Sequence, residues 1–126
     1  MFLFSIVHFL SSRFGDYMIP IVSRPIEQYC EENSSAESAL LKSLVRETYR
    51  RTELPQMQVG HLEGSFLRLL VQISASRRIL EIGTFTGYSA LAMAEGLPEK
   101  GELITCDLDP RATAIAKKYW AKSPTG

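Results

Sequence analysis

Two acids and a turn bracketed by glycines carry the chemistry this sequence offers. Glu81-Ile82-Gly83-Thr84-Phe85-Thr86-Gly87-Tyr88-Ser89 sets a carboxylate ahead of Gly83, closes the turn at Gly87 and adds a hydroxyl at Ser89. Lacking a Cβ, Gly83 lets a ligand approach the carboxyl end of the preceding strand, where α/β sheets bind ligands. The helix start beyond Gly87 offers free N–H groups and partial positive charge, suited to a carboxylate or phosphate. Asp107 follows a second apolar run and is placed to accept hydrogen bonds from a ribose diol. Taken singly, the glycines read equally as turn residues, Asp107 as a helix-approach acid, and Ser89 as a serine serving its own helix. Their combination points to a nucleoside site.

The spacing argues against the two common phosphate loops. GxxxG lacks the middle glycine that lets a pyrophosphate lie on the backbone in GxGxxG, and it is not GxxxxGK[ST]. Glu81 beside the turn would repel a pyrophosphate and suits a ligand with a cationic end. A nucleoside joined to a zwitterionic amino acid through a sulfonium fits the acid, the glycine turn and the ribose-binding acid together. That ligand is S-adenosylmethionine.

The elements that must position these groups follow from capping and periodicity. Ser23 and Pro25 start a helix that runs to about Glu32 and is interrupted at Asn33-Ser34-Ser35. Ser34 and Glu37 form a capping-box pair for a second helix whose apolar stripe is Leu40, Leu41, Leu44 and Val45, with Glu47 and Arg51 paired on the wet side, and which Pro55 ends. A third helix, about Leu62 to Ser74, aligns Leu62, Phe66, Leu69, Leu70 and Ile73 as a buried face. Ile79 to Ile82 reads as a strand covered on both faces, Tyr88 to Gly96 as a helix, and Glu102 to Cys106 as a second strand. Asp109 then caps a helix with Pro110 at its first position. Strand, helix, strand, helix is an α/β βαβα unit with parallel strands and a right-handed crossover.

Composition bounds the rest. The 126 residues are 45% apolar, and 14 Lys plus Arg balance 14 Asp plus Glu, which excludes a disordered chain and removes the electrostatic case for nucleic acid. Cys30 and Cys106 belong to no CxxC pair, and with only His8 and His61 beside them they assemble no metal knuckle; both read as buried thiols in a reducing cytosol. Cys106 reads as core and His61 as a polar loop residue. Tyr88, Phe85 and Trp120 are open between core and cofactor-facing roles. Met1 to Leu10 is apolar but too short to span a bilayer and lacks the flanks of a signal peptide. Residues 1–17 are read as an N-terminal extension, and no membrane partner is expected.

Leu80 to Leu91 resembles the cofactor loop of class I methyltransferases, specifically the catechol and caffeoyl-CoA type O-methyltransferases. Met57-Gln-Val-Gly-His-Leu-Glu-Gly64 and Leu103-Ile-Thr-Cys-Asp-Leu-Asp-Pro110 resemble that family's upstream segment and second acidic motif. The resemblance covers roughly residues 20 to 122. It implies the N-terminal half of a Rossmann-like methyltransferase fold, with a helical segment over 18–76 and a cofactor-binding βαβα unit over 77–126. Carried over, Val59 contacts the methionine part of S-adenosylmethionine through its backbone, and Glu81, Gly83 and Thr84 line the same end. Ser89 holds the methionine carboxylate, Asp107 the ribose hydroxyls, and Met57 lies near the transferred methyl.

The implied reaction is methyl transfer to a phenolic hydroxyl of a small catechol- or caffeoyl-CoA-like acceptor, in a cytoplasmic enzyme whose full-length members form homodimers. The family also implies a divalent cation, Mg or Ca, with ligands and catalytic residues beyond Gly126. No catalytic and no metal residue is therefore assigned in this chain. The expectation is a truncated chain that keeps the cofactor half, its own activity in doubt. The alternative is a non-catalytic remnant that binds the cofactor weakly or acts only by association with another chain, and an NAD-type oxidoreductase is the third reading.

Overall fold

A computed structural model describes residues 22–126. The segment 1–17 with His8, and the start of the helical segment at Met18, lie outside the described residues. The element order is α1 (Arg24–Glu32), α2 (Ala39–Arg51), a 3-10 turn (Pro55–Met57), α3 (His61–Ser74), β1 (Arg78–Ile82), α4 (Tyr88–Ala94), β2 (Glu102–Cys106) and α5 (Pro110–Trp120). The two strands pair in parallel, in register from Arg78 opposite Glu102 to Ile82 opposite Cys106. Gly83 N–H donates to the Cys106 carbonyl at 2.8 Å, carrying the ladder one bond into the turn. Parallel neighbours need a crossover, and α4 supplies it.

Local chemistry sets several helix ends. Ser23 precedes α1, with Pro25 in its first turn. Asp109 caps α5 by accepting the Arg111 N–H at 2.8 Å, with Pro110 in the first turn. The expected Ser34–Glu37 capping box does not form. Ser38 caps α2 instead, accepting the Leu41 N–H at 3.2 Å, while Ser34 donates back to the Cys30 carbonyl. Glu37 accepts the Tyr88 hydroxyl at 2.6 Å, because a buried phenol requires a partner and Ser38 already serves the helix. The Glu47–Arg51 pair also gives way. Lys118 Nζ lies 2.7 Å from both Glu47 oxygens and Tyr119 OH donates to one at 2.9 Å. The bonds from Lys118 and then Tyr119 hold the Glu47 carboxyl below its ordinary range, so this acid joins α2 to α5 rather than facing water.

Leu41 and Leu44 of α2, Tyr88 and Leu91 of α4 and Tyr119 of α5 form the core cluster. The α3 stripe is not part of it: Phe66 is 56%, Leu69 50% and Ile73 70% exposed. The buried residues of α3 are Gly64 and Val71. A Cβ on Gly64 would stand 2.8 Å from the Tyr88 ring, so α3 meets α4 through its small side and leaves the large apolar residues outward. Nor is β1 covered on both faces. Ile79 and Glu81, with Leu103 and Thr105, share the covered face; Leu80, Ile82 and Ile104 on the other are about half exposed. Cys106 falls on that second face and is an exposed free thiol rather than core, and Cys30 is exposed on α1 rather than buried. His61 opens α3 rather than lying in a loop. No described helix is long and apolar enough to cross a membrane.

Candidate functional site

The turn from β1 to α4 is built from residues in left-handed conformations: Gly83 at φ +96°, Phe85 at +48° and Gly87 at +82°. Gly87 is required twice over. Besides its φ, a Cβ there would lie 2.7 Å from both Ala116 Cβ and Trp120 Nε1. The Trp120 indole N–H donates to the Gly87 carbonyl at 3.1 Å, so α5 clamps the turn from behind. Trp120 therefore packs against the turn; Tyr88 is buried in the core yet borders the cleft, and Phe85 lines the cleft in front. Phe85 holds a conformation that costs a non-glycine residue roughly 1 kcal/mol or more. What holds it is its N–H, which donates to Asp107 Oδ2 at 2.6 Å.

The two acids stand at the carboxyl ends of the two strands. Glu81 is 8% exposed. One of its oxygens accepts from Ser89 Oγ and the other from Thr105 Oγ1 at 2.6 Å. Burial pushes its carboxyl above the ordinary range; the Ser89 and Thr105 bonds oppose that, and the nearby Asp107 charge adds to it. Asp107 accepts the Asp109 N–H at 2.8 Å on Oδ1 and the Phe85 N–H on Oδ2. Desolvation pushes this carboxyl up, but backbone N–H groups of Asp109, Phe85, Leu108 and Thr84 together outweigh it and hold it low. One acid is thus buried and reluctant to ionise, the other open and firmly charged.

An open cleft of about 610 Å³ is lined by Val59, Glu81, Gly83, Thr84, Ser89 and Asp107, together with Met57. Every residue the sequence assigned to the cofactor falls in it, whereas Trp120, left open between core and cofactor, does not. Its size lies within the range of small-molecule sites. The apolar wall comes from Phe66, Leu70, Leu80 and Ile82, which is where the exposed stripe of α3 and the open face of β1 meet the site. Sequence reasoning missed what holds the Met57–Val59 segment over the turn. Thr48 and Thr86, both fully buried, have hydroxyls 2.9 Å apart, and Gln58 Nε2 donates to each at 2.9 Å. The signal available was Thr48 itself, a hydroxyl one helical turn after Leu44 on an apolar stripe. Among the described residues no group of three or more His, Cys, Asp or Glu stands together to hold a metal ion.

The family model described as O-methyltransferase matches residues 31–126. The chain belongs to the O-methyltransferase family. One family relative, the catechol O-methyltransferase of Niastella koreensis, is 45% identical over 65 residues, which is 52% of this chain and 29% of that protein. The caffeoyl-CoA O-methyltransferase of Populus kitakamiensis is 36% identical over 104 residues, 80% of this chain and 44% of that one. The crystal structure of the O-methyltransferase TomG from Streptomyces achromogenes, involved in tomaymycin synthesis and solved in complex with SAM, superposes with a TM-score of 0.71 at 32% identity. It covers 78% of this chain and 44% of that chain. The chain spans less than half the length of these relatives. Its helices and parallel pair are a partial Rossmann-like methyltransferase fold.

Proposed function

We propose that this chain carries the cofactor half of an S-adenosylmethionine-dependent O-methyltransferase that acts on a phenolic hydroxyl of a catechol- or caffeoyl-CoA-like acceptor. The observation that carries the reading is the placement of Glu81 and Asp107 at the ends of adjacent parallel strands, either side of the Gly83 turn, in one cleft. The donor set fits the cofactor. Glu81 meets the ammonium of the amino-acid part, and the free lone pairs of Asp107 accept the ribose hydroxyls. Gly83 and Thr84 line the methionine end, with the Val59 backbone opposite. Ser89 spends its one hydroxyl proton on Glu81 in the free protein, so it takes the methionine carboxylate by turning that proton outward. When bound, the cofactor supplies a methyl group on a cationic sulfur. Met57, which also lines the cleft, is assigned to that end.

The acceptor class rests on the named relatives. The catalytic groups and the divalent cation of such an enzyme are assigned to sequence outside these residues. A cytoplasmic site of action fits the two exposed free thiols, which a reducing compartment maintains. For a full-length enzyme of this kind the reading includes a homodimer. A second reading, a non-catalytic chain that binds the cofactor weakly or works by association with another chain, is favoured by the half-open apolar residues Phe66, Leu69, Ile73, Leu80, Ile82 and Ile104.

Calorimetry with S-adenosylmethionine, S-adenosylhomocysteine and NAD tests the site. The first two are expected to bind and NAD not; no binding of any of them by a folded sample rejects the assignment. Methyl transfer to a catechol by this chain alone would overturn the assignment of the catalytic groups to sequence outside these residues.

A further inference from the structure

Behind Glu81 runs a chain of hydroxyls whose middle member, Thr105, has no part in the cofactor reading. Thr84 Oγ1 and Thr105 Oγ1 are 2.6 Å apart, and Thr105 Oγ1 is 2.6 Å from Glu81 Oε2. A hydroxyl has one proton to give. An ionised carboxylate only accepts, so Thr105 must donate to Glu81, and Thr84 must donate to Thr105. Ser89 donates to the other Glu81 oxygen. With Glu81 ionised, all the protons therefore point toward it. If Glu81 is protonated it gains one donor, and one of the two hydroxyl bonds to it, from Ser89 or from Thr105, has to reverse.

Thr105 and Ser89 are not equivalent. Ser89 lines the cleft, whereas Thr105, in the middle of β2, is not among the described residues that do. A ligand carboxylate can draw the Ser89 proton away. Thr105 stays behind the acid, out of the ligand's reach. In the bound state Thr105 is then the hydroxyl left to hold Glu81. The charge acting on Glu81 is that of Asp107, at the end of β2, which opposes ionisation. The turn and α4 contribute the neutral hydroxyls of Thr84 and Ser89.

We propose that Thr105 is a positioning residue that keeps Glu81 ionised and aimed into the cleft, and so sets the preference of this site for a ligand with a cationic amino-acid end. The proposal rests on the cofactor reading above. Burial alone disfavours a charged Glu81, and the Thr105 bond counteracts it.

The test is calorimetric titration of the whole chain with S-adenosylhomocysteine, which keeps the ammonium, from about pH 5.5 to 8.5. Thr105→Val keeps the side-chain shape and removes the donor. It is expected to weaken binding by about tenfold at the acid end, with the loss shrinking as pH rises, because a hydrogen bond to a charged group is worth roughly that factor. Thr105→Ser restores the donor and the wild-type pH profile. A loss of equal size at every pH, or one that Ser does not reverse, marks a merely structural role and overturns the proposal; so does unchanged binding by Thr105→Val. Failure of the wild-type chain to bind at all rejects the cofactor reading instead, and that result is distinguishable from the others. Should Thr105→Val not fold, as judged by circular dichroism, Thr84→Val breaks the chain one link earlier. It is expected to move the profile in the same direction by a smaller factor, and no movement in it overturns the proposal.

Discussion

Replacing Gly87 by alanine isolates what the turn asks of its glycine. At φ +82° an L-residue pays roughly 1–2 kcal/mol for the left-handed conformation. The added methyl would lie 2.7 Å from Ala116 Cβ and from Trp120 Nε1, and 2.8 Å from Trp120 Cε2. None of these atoms is the far end of a flexible chain, so α5 itself must shift, an overpacking cost of about 1–3 kcal/mol. That shift also strains the Trp120 bond to the Gly87 carbonyl. The two costs together come to about 2–5 kcal/mol, a large share of the ~5–15 kcal/mol that holds a typical domain folded. Urea denaturation followed by Trp120 fluorescence, the chain having a single tryptophan, gives the midpoint. Gly60→Ala is the control: its φ is −78° and nothing lies within 4 Å of its added Cβ, so the change should stay within about 1 kcal/mol. Gly87→Asn separates the two costs, because asparagine tolerates the left-handed region but still carries a Cβ. If Gly87→Ala costs no more than Gly60→Ala, or if Gly87→Asn matches wild type, the steric reasoning is refuted.

Other changes probe the acids and the threonine network. Because Glu81 titrates above its ordinary 4.5, the folded state binds that proton more tightly than the unfolded chain; the stability this adds is present below 4.5 and is lost as pH rises through the folded value. Glu81→Gln should therefore raise the denaturation midpoint near neutral pH, flatten its pH dependence above 4.5, and abolish S-adenosylhomocysteine binding in calorimetry. Asp107 is the opposite case: its low folded value adds stability above 3.8 that is lost as pH falls through that value. Asp107→Asn should weaken cofactor binding by at least about tenfold and lower the midpoint at neutral pH, with the stability difference vanishing in strong acid. Thr86→Val leaves Gln58 one partner short and should cost about 1–3 kcal/mol in urea titration, with a parallel loss of binding because Gln58 adjoins Val59.

Short-range chemistry was legible in the residues themselves. Asp109 followed by Pro110 marked a helix start, and the run from Glu102 to Cys106 read as a strand beside the one ending at Ile82, as found. Spacing around Gly83 also named the cleft residues, because strand, turn and helix in sequence put Glu81, Ser89 and Asp107 at one end of a parallel pair. These are local rules, with partners a few residues away or set by topology.

What escaped the sequence were choices made between elements. Periodicity grouped Phe66, Leu69 and Ile73 on one face, but only packing showed that α3 turns its Gly64 side to Tyr88 and leaves that face outward. Local pairing rules assigned Glu37 to Ser34 and Glu47 to Arg51. Tertiary partners, Tyr88 and Lys118, took both acids because buried or interhelical donors gain more from a carboxylate than exposed neighbours do. Sequence by itself determined the glycine-bracketed turn between the two acids and the order of elements. Tertiary structure alone decided that Thr48, Thr86 and Gln58 share one buried contact and that Thr105 stands behind Glu81. Those bonds join residues far apart in the chain, and no local periodicity encodes which distant hydroxyl will meet which acid once the apolar surfaces have packed.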